Sequence, residues 1–130
     1  MEELGDRAGV ATSLHQIGTI HLDRGDYDAA LQRYQLSLKI VEELGDRAGG
    51  ASSISQIGQL FTETGCYAEA FRYLLSALSA FIELQSPNAR IAVNMLKTLR
   101  AKWGEREFDA AWQEATGEAT PDWLKEAEAV

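Results

Sequence analysis

The chain has 130 residues, 45% of them hydrophobic, which suits one folded domain of ordinary size. A formal net charge of -8 sets it against the phosphate backbone and argues against nucleic-acid binding. The single cysteine, Cys66, excludes an internal disulfide framework. An acidic Met1-Glu2-Glu3 and the lack of any long apolar run leave no secretory leader or membrane span to read, so we expect a cytoplasmic protein.

The dominant feature is a repeat. The octet Glu2-Glu3-Leu4-Gly5-Asp6-Arg7-Ala8-Gly9 returns unchanged as Glu42 to Gly49, an offset of 40 residues. At the same offset Gln16-Ile17-Gly18 becomes Gln56-Ile57-Gly58, Gly25 becomes Gly65, Tyr27 becomes Tyr67 and Ala30 becomes Ala70. A period of this length signals stacked supersecondary units.

Each unit reads as two helices. The first begins near Asp6 and carries Val10, Leu14, Ile17 and Ile20 as an apolar stripe at spacings of three and four. Gly25-Asp26 breaks it, with Asp26 available to cap the following helix. That second helix runs from about Tyr27, with Ala30, Tyr34, Leu38 and Val41 on one face, to a left-handed cap at Gly45. Asp46 caps the next helix, and the pattern repeats to Leu84 with Cys66 as an eroded cap. The units therefore span residues 6–44, 46–84 and 86–117.

The third is degenerate. Ser86-Pro87 opens it, Ile91, Met95, Leu96, Leu99 and Trp103 form its apolar face, and Gly104 marks a turn. Glu107-Phe108-Asp109-Ala110-Ala111-Trp112 echoes Asp26 to Leu31, one residue out of step, so the Gly104 turn is expected to have gained a residue. Residues 118–130 form a capping helix and tail opened by Thr120-Pro121, and Trp103, Trp112 and Trp123 are expected to cluster there.

Leu14, Ile17-Gly18, His21, Ala30, Tyr34 and Ser37, and their counterparts Ile54, Ile57-Gly58, Phe61, Ala70, Leu74 and Ala77, resemble the tetratricopeptide repeat pattern. Gly18 and Gly58 provide close helix approach opposite Ala30 and Ala70. The usual unit has about 34 residues; the longer one here resembles the repeats of kinesin light chains and of bacterial sensor arrays. His21 and Leu74 depart from the usual aromatics, and the family's terminal proline is replaced by Glu42 and Ile82. The resemblance implies an all-α, right-handed superhelical solenoid of antiparallel helix pairs, about three repeats plus a C-terminal helix.

The resemblance also implies a protein- or peptide-binding scaffold. It assigns the concave face to Thr12, His15, Gln16, Thr19, Leu22 and Asp23 in the first unit. In the second it assigns Ser52, Ser55, Gln56, Gln59, Thr62 and Glu63. Most are polar and uncharged, suited to exchanging hydrogen bonds with an extended backbone, and Gln16 and Gln56 lead the set. None is Lys, Arg or Asn, which argues against a receptor that clamps terminal carboxylates.

Catalysis, cofactor and metal find no constellation. His15 and His21 lie six apart on one helix and diverge. Cys66 has no basic neighbour in sequence, the pairs Glu42-Glu43 and Glu126 with Glu128 surround no pocket, and Gly45, Gly49 and Gly50 do not make a phosphate loop. Glu2-Glu3-Leu4-Gly5 matches the end of a second helix, so the chain is expected to start within a repeat. Two expectations follow: membership of a longer array as a structural end piece, or a homodimer through an uncapped end near Leu14 and Ile17.

Overall fold

The computed structural model describes residues 3–126, with side chains from Asp6 onward. Within them the chain is helical: α1 (Glu3–Asp23), α2 (Tyr27–Glu43), α3 (Arg47–Thr64), α4 (Tyr67–Glu83), α5 (Ala89–Trp103), α6 (Glu105–Thr116) and the short α7 (Asp122–Lys125). Each helix packs on its successor from α1 to α6, and α7 returns to α5. The result is a solenoid of consecutive helix pairs, as the periodicity predicts.

The close approach within each pair follows from its glycine. A Cβ at Gly18 would stand 3.3 Å from the Ala30 carbonyl oxygen, and one at Gly58 would stand 3.4 Å from the Leu74 amide nitrogen. Ala30, Tyr34, Ala70 and Leu74, which face them, are fully buried. A smaller core joins α1, α2 and α3 through Ala30, Tyr34, Ile57 and Leu60. A larger one extends from α3 to α7 and includes Phe71, Leu74, Phe81, Leu96, Leu99, Phe108 and Trp112.

The α2–α3 junction follows the expected rules. Gly45 takes φ 74°, and the Asp46 carboxylate accepts from the Gly49 amide at 2.8 Å. Asp26 departs from them. It makes no side-chain cap; its carboxylate turns instead to His21 Nδ1, 3.5 Å away. The first copy of the octet also departs. α1 is already helical at Glu3 and passes through Gly5, although the identical Gly45 ends a helix. Glycine costs only about 1 kcal/mol in a helix, so packing decides: α3 folding back on α2 fixes the turn at Gly45, and the helical alternative holds at Gly5.

The extra residue of the third unit lies elsewhere than expected. The turn between α5 and α6 is Gly104 alone, with φ 113°, shorter than the three residues that join α1 to α2. The chain is instead longer between α4 and α5, where residues 84–88 form the link. There Gln85 occupies the place of Gly45 and carries φ 54° without being glycine. Ser86 accepts from the Asn88 amide at 3.1 Å within the turn that precedes α5, whose N-cap position is taken by Asn88 and not by Ser86 as expected.

Of the three tryptophans, Trp112 and Trp123 meet edge to face at 6.2 Å. Trp103 joins them through Phe71, whose ring centroid is 6.2 Å from Trp103 and 6.4 Å from Trp112. The terminal turn is tied down by polar contacts absent from the repeat pattern. Arg100 donates from Nε and Nη2 to the two carboxylate oxygens of Asp109, at 3.0 and 3.1 Å, and Thr120 donates to Asp109 at 2.7 Å.

Candidate concave binding face

The first helices of the three pairs, α1, α3 and α5, line one face, which holds two hollows. The first, of about 300 Å³, lies between α1 and α3, with Thr12, His15, Gln16 and Ser52 on its walls and Ala11, Ser37 and Val41 beneath. The buried Ser37 hydroxyl donates to the Ala11 carbonyl at 2.8 Å and stitches α2 to α1 under this floor. The second, of about 220 Å³, lies between α3 and α5, lined by Gln59, Thr62, Glu63, Ile91, Asn94, Met95, Thr98 and Lys102.

The twelve sequence-assigned positions do not all present their side chains. Gln16 and Asp23 are exposed, and Gln56 and Gln59 are half-buried. Thr12 is exposed, with its hydroxyl donating to the Ala8 carbonyl. Thr19 donates to the His15 carbonyl and shares a 3.0 Å hydrogen bond with the Tyr34 hydroxyl, which anchors the wall of the first hollow. Ser55 turns away: it is 4% exposed and donates to the Ser52 carbonyl at 2.8 Å. Leu22 packs into the α1–α3 core and is not a groove residue. Thr62 is buried with its hydroxyl on the Gly58 carbonyl, so it offers the second hollow chiefly its methyl group. Glu63 stands exposed at that hollow's rim.

His15 is a titratable group of this face with a perturbed equilibrium. Its ring tilts against Tyr34 at 5.3 Å, and burial lowers its pKa below the ordinary 6.5. The imidazole is therefore neutral at pH 7 and available to both donate and accept. Among the described residues no three His, Cys, Asp or Glu side chains gather as a metal site would require.

The wall supplied by α5 is not foreseen in the sequence. Ile91, expected in the core, is 48% exposed and lines the second hollow, and Met95 lines it while also packing against the core as expected. The core of α5 is Ala92, Leu96 and Leu99. Asn94 and Lys102 bring an amide and a cation to a face whose first two helices carry neither Asn nor Lys. An offset of 41 rather than 40 exposes the signal: it carries Gly58 onto Leu99 and Tyr67 onto Phe108, and rotates α5 by one position.

The family model described as tetratricopeptide repeat matches residues 9–83, more than half of the chain. The chain belongs to the tetratricopeptide repeat family. Comparison with curated proteins returns no match. Repeats of this family are commonly protein-interaction scaffolds and typically non-enzymatic. Among the described residues, no helix of this tetratricopeptide protein is long and apolar enough to cross a membrane.

Proposed function

We propose that the chain is a non-catalytic binding module that holds an extended peptide segment across the face of α1, α3 and α5. The observation that carries this reading is the pair of hollows opening along α3, each lined by both apolar and polar side chains. The α3–α5 hollow suits one apolar anchor side chain, received by Ile91 and Met95. Gln16, Gln59 and Asn94 are placed to exchange hydrogen bonds with the peptide backbone, because an amide both donates and accepts. Glu63 and Lys102 at the rim favour a segment carrying both signs of charge over a purely acidic tail.

The test is capture from a lysate of the protein's own cells, with retained proteins identified by mass spectrometry. Wild type is compared with Gln16→Ala/Gln59→Ala and with Met95→Asp, after circular dichroism shows unchanged helicity. A partner kept by wild type and lost by both variants supports the groove. An identical retained set for all three overturns it. The alternative, a structural role without peptide, is favoured by a different surface, the exposed outer stripe of α1.

A further inference from the structure

We propose that the outer face of α1 is a self-association surface, on which a second copy of the chain packs with its own α1 antiparallel to the first. Two independent observations lead there.

The repeat supplies the first. At the offset of 40, Val10, Leu14, Ile17 and Ile20 correspond to Gly50, Ile54, Ile57 and Leu60. In the second unit this stripe is sealed: Ile57 and Leu60 are at most 2% exposed and pack with Ala30 and Tyr34. In the first unit Val10 is 49%, Ile17 40% and Ile20 50% exposed. One surface chemistry is thus covered once and open once. A helix apolar on two sides is suited to burial on both.

Charge supplies the second. Asp6, Val10, Ser13, Ile17, Ile20 and Arg24 follow one another at spacings of four, three, four, three and four, which is a single stripe of the helix. Its anionic start and cationic end stand five turns apart, about 27 Å. Both are exposed, and among the described residues neither forms an ion pair. Set two such stripes antiparallel about a two-fold axis beside residue 15. Asp6 then meets the partner's Arg24, Val10 meets the partner's Ile20, and small Ser13 lies against the partner's Ile17. A parallel pairing sets like charges against each other at both ends. The antiparallel arrangement is isologous, so it closes at two copies. The stripe shares no residue with the α1–α3 hollow, so self-association and peptide binding are separable.

One helix face is small beside the roughly 800 Å² per partner of a standard interface, so the dimer is weak and concentration-dependent. Sedimentation equilibrium of the whole chain from roughly 10 to 1,000 μM, at low and at high salt, tests it. Wild type should pass from monomer to dimer, with weaker association in high salt. Ile17→Asp should stay monomeric. Asp6→Arg and Arg24→Asp should each weaken the dimer at least about tenfold, and the double variant should recover most of that loss. Circular dichroism confirms that the variants fold. Wild type monomeric throughout overturns the proposal. A dimer indifferent to the charge reversals, or not rescued by the double variant, overturns the antiparallel arrangement.

Discussion

The Tyr34 ring occupies the space that a side chain at Gly18 would need: a Cβ there would lie 2.8 Å from both Cδ1 and Cε1. Tyr34 is fully buried and held at its hydroxyl by Thr19, so its ring has little room to retreat. We expect Gly18→Ala to destabilise the fold by about 1–3 kcal/mol, the usual cost of overpacking a core, despite the better helix propensity of alanine. Urea unfolding measures it. Tyr34→Leu in the Gly18→Ala background should return part of the loss, and strict additivity of the two changes would contradict the contact.

Gln85 offers the opposite experiment. It holds φ 54° where the preceding unit uses glycine. A left-handed residue with a Cβ is strained by roughly 1–2 kcal/mol. Gln85→Gly should therefore stabilise the protein by about 1 kcal/mol, seen as a rise of a few degrees in Tm. Gly45→Gln should lower it by a similar amount, since Gly45 has φ 74°.

His15 makes stability depend on pH in the mildly acidic range. Burial lowers its folded-state pKa below 6.5, so the unfolded chain takes up the proton first. Its contribution is complete above pH 6.5 and declines as pH falls from there through the folded-state value. Thermal unfolding across that window should show a fall in Tm that His15→Gln removes. Both proteins keep His21, so the difference between their curves belongs to His15.

At the other end of the chain, the Asp109 carboxyl is held below its ordinary value, first by hydrogen bonding from Arg100 and then from Thr120. Its contribution is present above the ordinary 3.8 and is lost as pH falls through the lower folded value. Asp109→Asn should cost about 1 kcal/mol at neutral pH, a figure reduced for the partial exposure of the pair. It should also flatten the most acidic part of the stability profile. Thr120→Val, which keeps the Arg100 pair, should do less of both.

Much of the architecture is legible because glycine and aspartate punctuate it at a fixed interval. Gly25, Gly45 and Gly65 all take positive φ between helices. Where reading fails, a tertiary alternative beats a local preference. Asp26 has a capping residue's position but finds His21. The octet beginning at Glu2 has the sequence of a helix end, yet its described residues continue a helix. The concave face is half legible: Gln16 and Gln59 follow from the repeat, whereas Ile91, Met95 and Lys102 depend on the longer α4–α5 link of residues 84–88, which puts α5 out of register with the repeat.

The unequal division of the core has a consequence in time. The small cluster ties α1 and α2 to α3, while a larger one with stacked and edge-on aromatics binds α3 to α7. Nearest-neighbour solenoids open from their weaker end. Amide protons of α1 and α2 should exchange with solvent first, through fraying events that leave the remaining helices folded. Each such event bares the stripe of Ile54, Ile57 and Leu60 on α3. The solenoid thus renews, one unit further along, an apolar flank like the one it lost, and proteases or chaperones would meet a shortened stack instead of an unravelled chain.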